Sequence, residues 1–267
     1  MAVLVKPTPD ITKVRFDVER GTVDRSGAEL EINPFDLYAV EAAVKLKETF
    51  GATITAISMA PMQGEKALRD AIARGVDRAV LLTDKKFAGA DTLSTSYTLA
   101  SAIRKLGGAD LILCGEKSVD GDTAHIGPEV AEHLGIPHAS FVTHIQEVTG
   151  ESIVVESDYG SAYYSLELKL PAVLAVSRPL LFKGKLIEPR IPKLSDVLKA
   201  RRAKIDLWDA NTLGDVADPT RFGLSGSPTR VIKAFYALEK TRTPAIIKGE
   251  EAVLALLKIL LEKGVIA

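Results

Sequence analysis

Between Asp110 and Pro137 the chain reads D-L-I-L-C-G-E-K-S-V-D-G-D-T-A-H-I-G-P-E-V-A-E-H-L-G-I-P. The residues that could do chemistry crowd into Gly115 to Thr123. Asp120, Asp122 and Thr123 can accept or donate hydrogen bonds, and Gly121 has no side chain to keep a ligand from the backbone. This is chemistry of holding, and the loop reads as a seat for a nucleotide or a phosphate. The elements around it agree. Leu111 to Cys114 has the length of a buried parallel strand. A helix is predicted from about Ala124 to Leu134, stopped by Gly135 and Pro137. In open α/β sheets ligands sit at the carboxyl ends of strands, and the unpaired N–H groups of a helix start point into the same space. The plainer alternative is that Asp122 or Thr123 only caps the helix. His125, at the junction, is either a ligand contact or a solvent-facing histidine.

No catalytic set emerges. Cys114 ends a buried strand, where a cysteine is usually a small packing residue. There is no G-x-S-x-G elbow, Walker A loop or H-E-x-x-H, and no G-x-G-x-x-G follows the first strand. The four histidines, at 125, 133, 138 and 144, lack zinc spacing with partner cysteines, so no metal site is expected. A net charge of -1 argues against general nucleic-acid affinity. Hydrophobic residues at 46% and charged residues at 26% describe a globular chain with a large core. No apolar run approaches the roughly 20 residues of a membrane span. Met1 to Lys6 reads as a strand rather than a signal peptide, because a charged proline loop follows. A single cysteine excludes an internal disulfide and fits a reducing, cytoplasmic setting.

The expected fold is α/β: a mostly parallel sheet with helices on both faces, of Rossmann-like, adenine-nucleotide-binding type. Ala2 to Lys6 is the first strand, and the prolines of K-P-T-P-D forbid a helix after it. Val14 to Asp24 reads as a small hairpin. Asn33 is placed as an N-cap with Pro34 at the first helical position. Leu37, Val40, Val44 and Leu46 form the apolar stripe, with Glu41, Lys45 and Glu48 on the wet side. Strands follow at Thr53 to Ser58 and Arg78 to Leu82, and helices at Glu65 to Arg74 and Asp91 to Leu106. Alternation of this kind builds a parallel sheet.

After Pro137 the pattern changes. Phe141 to Thr149, Ser152 to Asp158 and Ala162 to Leu168 suggest an antiparallel meander. Pro171 to Val176 is a strand with the option of rejoining the main sheet. A basic stretch leads to a short helix at Ser195 to Arg202; it could grip phosphate, face solvent or meet an acidic protein surface. Residues 209 to 230 read as an extended arm. The last helix, Glu250 to Lys263, is apolar on most faces and needs something to bury it. The expected division is 1–182 for the nucleotide-binding domain and 183–267 for the basic helix, arm and terminal helix.

Together these motifs resemble the β subunit of electron transfer flavoproteins along nearly the whole chain. The opening V-L-V-K (Val3 to Lys6) is similar to the family's first strand and lysine. N-P-F-D-L-Y-A-V-E-A-A (Asn33 to Ala43) is similar to its first helix start. Gly115 to Thr123 with Gly127-Pro128 resembles its nucleotide loop. L-K-L-P-A (Leu168 to Ala172) resembles a strand entry. Glu188-Pro189-Arg190 with Leu198 to Arg202 resembles its E-P-R segment and basic helix. Each motif alone is weak; five in order are specific.

The resemblance implies one half of an αβ heterodimer. The α subunit would hold most of the electron-transferring FAD, and this chain would carry its own nucleotide. That nucleotide is AMP in the simple carriers, and in electron-bifurcating members a second FAD that takes a hydride from NADH. Family contacts carry over onto Leu4, Lys6, Asn33, Asp36, Met59, Gly115, Lys117, Ser118, Val119, Asp120, Gly121, Asp122, Thr123, Ala124, His125 and Ile126. Bifurcating members read D-G-D-T-A-Q-x-G-P where this chain has D-G-D-T-A-H-I-G-P, and AMP carriers tend to a bulkier acid at the position of Gly121. The resemblance therefore favours FAD, with His125 in place of the usual glutamine. Leu186 matches a leucine that anchors partner dehydrogenases; quinone-reducing subunits are the other redox partners implied. Ser177 to Lys185 is longer than the family's usual link. The alternative outside this family is a non-redox, stress-type nucleotide-binding module, which has no use for the basic helix or the apolar terminal helix.

Overall fold

The computed structural model describes residues 1–9, 15–17, 22–24, 30–230, 232, 246–249 and 251–266, with 15–17 and 22–24 followed along the backbone only. The chain divides into two compact units, Met1–Ile232 and Lys233–Ala267. In the first the strands are β1 (Ala2–Leu4), β2 (Pro7–Pro9), β3 (Arg15–Asp17), β4 (Thr22–Asp24), β5 (Leu30–Ile32), β6 (Thr55–Met59), β7 (Arg78–Leu82), β8 (Leu111–Gly115), β9 (His138–Val148), β10 (Ser152–Asp158), β11 (Tyr163–Lys169), β12 (Ala172–Phe182), β13 (Lys185–Ile187) and β14 (Asp206–Trp208). Its helices are α1 (Pro34–Phe50), α2 (Glu65–Ala73), α3 (Thr92–Lys105), α4 (Ile126–Leu134) and α5 (Leu194–Arg202).

The main sheet runs in the order β11-β10-β9-β12-β8-β1-β6-β7-β14. From β9 to β14 every pairing is parallel. β10 and β11 extend it as the expected antiparallel meander. Side chains of one strand alternate between faces, so Val3 and Ala2 enter different cores. One core lies under α1 and α2, the other under α3 and α4. Leu113 and Ile112 are fully buried, one on each side. Each such side chain contributes about 1.5–3 kcal/mol relative to exposure.

Several expectations are corrected. The strand expected at Pro171–Val176 does rejoin the main sheet, beside β8, but continues to Phe182. Its end pairs with β13, so most of the extra residues after Ser177 form a hairpin. β3 and β4 pair as the expected hairpin, whose remaining residues lie outside those described. Glu41, placed on the wet side of α1, is 3% exposed. Its carboxylate receives Arg190 in a two-pronged ion pair, Nε to Oε2 and Nη2 to Oε1 at 2.9 Å each, together with the Arg190 N–H at 3.0 Å. The segment 209–230, read as an extended arm, is folded against α3, with Leu213 and Phe222 buried. Its composition hid this because a few apolar residues, widely spaced, suffice when a neighbouring core receives them. In the second unit α6 (Ala252–Glu262) leaves Val253, Leu254, Leu256, Leu257 and Leu261 exposed within the chain.

Candidate functional site

The chain lays β6 and β7 on one side of β1 and then returns to place β8 on the other. Beyond the carboxyl ends of β1 and β8 the connections diverge, and a crevice opens. A cavity of about 660 Å³ lies there. Its volume falls within the roughly 300–1,000 Å³ of small-molecule sites. Its lining includes polar Lys6, Lys117, Ser118 and Thr123 and apolar Ile57, Leu82, Phe87 and Leu99.

The first turn of α1 builds the floor. Asn33 sits at the N-cap position but does not cap. Its amide instead donates to the Lys117 carbonyl at 2.8 Å and accepts the Val119 N–H at 3.2 Å, pinning the loop after β8. Asp36 accepts the Lys6 N–H at 2.7 Å and the Gly115 N–H at 3.0 Å, so one carboxyl ties the ends of β1 and β8 together. A Cβ on Gly115 would strike Asp36 and Phe35, so a side chain there would push α1 away.

Burial pushes the Asp36 carboxyl up to about 6, against the N–H groups of Lys6 and Gly115, the Asn33 side chain and the Lys6 charge, which all favour the ionised form. The unfolded chain releases this proton near the ordinary value of 3.8. The folded state thus binds the proton more tightly. The associated stability is complete below about pH 4 and lost as pH rises through about 6, a change of about 3 kcal/mol. Urea melts from pH 4 to 8 should show this fall, and Asp36→Asn, which cannot titrate, should flatten it. The Cys114 thiol, behind the same floor, is raised by burial and by the Asp36 charge, which suits a packing residue.

Lys6 Nζ lies 2.6 Å from Asp120 and 3.0 Å from Ser118 Oγ. Burial alone would raise the Asp120 carboxyl, but Lys6 and Ser118 hold it below the usual carboxylate range. Asp122 and Ala124 adopt left-handed backbone, φ 51° and 56°. Helix α4 therefore starts at Ile126, later than the sequence pattern suggested, with His125 at its N-cap position and no capping side chain. The capping alternative for Asp122 and Thr123 is thus not realised. Asp122 pairs with Lys117 at 2.8 Å on the surface. Asp122→Asn, which tolerates the left-handed backbone, should cost less than about 1 kcal/mol in a thermal melt. A larger loss would mean that this surface pair organises the loop.

Of the residues singled out by sequence, Leu4, Lys6, Asn33, Asp36, Met59, Gly115, Lys117, Ser118, Gly121, Thr123, Ala124, His125 and Ile126 line the cavity. Val119, Asp120 and Asp122 do not; they shape the loop through Asn33, Lys6 and Lys117. Sequence reasoning missed the wall from Thr83 to Ala90 with Leu99. The available signal was the carboxyl end of β7, another strand end on the same edge of the sheet.

A parallel sheet with a nucleotide-sized cleft at its switch point defines a class of α/β ligand-holding domain. The family described as "Electron transfer flavoprotein domain" matches residues 20–213. The chain belongs to the electron transfer flavoprotein family, and its kinship is with the β subunits. It is 41% identical to the electron transfer flavoprotein subunit beta of Clostridium acetobutylicum, over 88% of this chain and 86% of that protein. The corresponding subunit of Megasphaera elsdenii is 40% identical, over 87% and 86%. Protein FixA of Bradyrhizobium diazoefficiens is 38% identical, over 93% and 86%. Membership sets aside the stress-type module. Among the described residues no helix is long and apolar enough to cross a membrane.

Proposed function

We propose that this chain pairs with an electron transfer flavoprotein α subunit and binds an FAD of its own in the cleft. In this reading it takes electrons from NADH in a bifurcating complex. The observation that carries the proposal is the cleft itself, lined by polar residues of the Gly121 loop and by apolar Ile57, Leu82, Phe87 and Leu99. The residues present fit a dinucleotide. A Cβ on Gly121 would stand 3.2 Å from Ser118 Oγ and 3.7 Å from Lys6 Nζ, so the bare glycine leaves phosphate room beside a cation and a hydroxyl. Lys6, Ser118 and the start of α4 would hold the phosphates, and Ile57, Leu82 and Phe87 would keep water from the rings. A flavin bound there would supply hydride acceptance and onward electron transfer.

The exposed apolar residues of α6 would be covered by the α subunit, with residues 183–267 contributing to that docking. Leu186 and Ile191, exposed on either side of the Arg190 anchor, would meet the redox partner, a dehydrogenase or a quinone-reducing subunit. The setting is cytoplasmic. Denaturing the co-purified complex and counting nucleotides tests the reading. Two FAD per heterodimer is the expected result. One FAD and one AMP would make the complex a non-bifurcating carrier, and no nucleotide in this chain would overturn the assignment of the cleft.

A further inference from the structure

Residues 206–230 supply no side chain to the cleft, yet they hold one of its walls. β14 pairs in parallel with β7, and the chain then folds back over the loop at 83–90, which forms the outer wall. The hold is made at several points. The Ala210 N–H donates to Asp84 Oδ2 at 3.0 Å, and the Leu224 N–H to the Ala88 carbonyl at 3.0 Å. The Asp91 N–H donates to Ser227 Oγ at 2.8 Å, and Thr229 Oγ1 to Asp91 Oδ2 at 2.8 Å. The Asp218 N–H donates to the Tyr97 hydroxyl at 2.7 Å, and the Arg221 guanidinium lies 3.8 Å from the Tyr97 ring centre. Between these ties Phe222, 1% exposed, meets the cavity-lining Phe87 edge-on at 5.1 Å. Gly223 follows at φ 52°, where a Cβ would run into the Lys86 carbonyl. Only glycine lets the backbone lie this close.

We propose that residues 209–230 form a positioning strap for the nucleotide site, whose docking and ligand binding stabilise one another. The proposal rests on the nucleotide reading of the cleft. Phe87 lines the ligand space and is 4% exposed, with Phe222, itself packed on Tyr97, set edge-on against it. Without Phe222 that contact is replaced by water or a void, and a wall built by close packing loses its shape. Linkage makes the effect mutual: the factor by which a docked strap raises nucleotide affinity is the factor by which nucleotide favours strap docking.

Hydrogen exchange on the full chain, followed by mass spectrometry with FAD or AMP as the probe, tests this. The amides of Asp218 and Thr229 bond to Tyr97 and Asp91, neither of which lines the cleft, and that of Leu224 bonds to the wall residue Ala88. Their exchange should slow about tenfold when nucleotide is added, and Phe222→Ala should bind nucleotide about tenfold more weakly. Should Phe222→Ala fail to fold, Phe222→Leu, which keeps an apolar side chain but no ring edge, carries the test with a smaller loss. Nucleotide binding with strap exchange unchanged, or undiminished affinity in the folded Phe222 variant, overturns the coupling alone. Failure of both nucleotides to bind the unmutated chain overturns the reading of the cleft and the coupling with it.

Discussion

On the proposed nucleotide reading of the cleft, Gly121→Asp is expected to abolish nucleotide binding while leaving the fold intact. Gly121 does not use left-handed backbone, so a side chain is conformationally allowed there. The damage is local and electrostatic. The new Cβ would sit 3.2 Å from Ser118 Oγ and 3.7 Å from Lys6 Nζ, and the added carboxylate would compete for that ammonium and repel phosphate. Like charges brought together at a binding surface cost several kcal/mol, so affinity should fall by about a hundredfold or more. Gly121→Ala separates crowding from charge, since a methyl group needs a shift of only a few tenths of an ångström from Ser118. On the proposed bifurcating reading, the co-purified mutant complex should lose the flavin of this site and NADH-driven reduction, and keep the flavin of the α subunit. Flavin counting and a thermal melt on the same sample decide. Retained nucleotide at wild-type affinity would remove the Gly121 loop from the site.

Arg190→Ala should destabilise the first unit by about 2–3 kcal/mol, less than a fully buried pair would lose, because Arg190 is 30% exposed and its backbone N–H still reaches Glu41 in the variant. Glu41 is 3% exposed, and Arg190 provides both prongs of its pair while also reaching Glu48 at 2.8 Å. Lys45, 3.9 Å from Glu41, offers weak compensation. In a domain of this size the melting temperature should drop by on the order of 10 °C. The double substitution Glu41→Leu with Arg190→Leu should recover much of the loss, because no buried charge remains. If the single mutant melts like the unmutated chain, the E-P-R segment is held by its neighbours and not by this pair. The Arg190 anchor also fixes the backbone between Leu186 and Ile191, so the mutant should weaken whatever partner reads those two side chains.

The sheet was legible because its signals are local. Arg78–Leu82 and Ser152–Asp158 were bounded correctly from short apolar or alternating runs and their turn residues. The loop Gly115 to Thr123 was legible as the stretch beside the cleft because small and polar residues between a strand and a helix have few other uses. The same local rules misjudged residues whose partners lie far along the chain. Asn33 has the type and position of a cap, but the loop more than eighty residues later offers it two better bonds. Glu41 has the spacing of a wet-side residue, and burying it becomes tolerable only because Arg190 arrives from 149 residues away.

Composition and periodicity by themselves determined the α/β class, the succession of strand–helix units along the chain and the loop beside the cleft, because each is set by residues within one turn or strand of one another. Only the tertiary structure decided that Asp36 ties two strand ends, that β12 rejoins the sheet beside β8, and that Phe222 backs the Phe87 wall. Those contacts join residues separated by 30 to 135 positions, counting from Lys6 to Asp36 and from Phe87 to Phe222. Their energy comes from burial and charge compensation, which exist only once the segments have met.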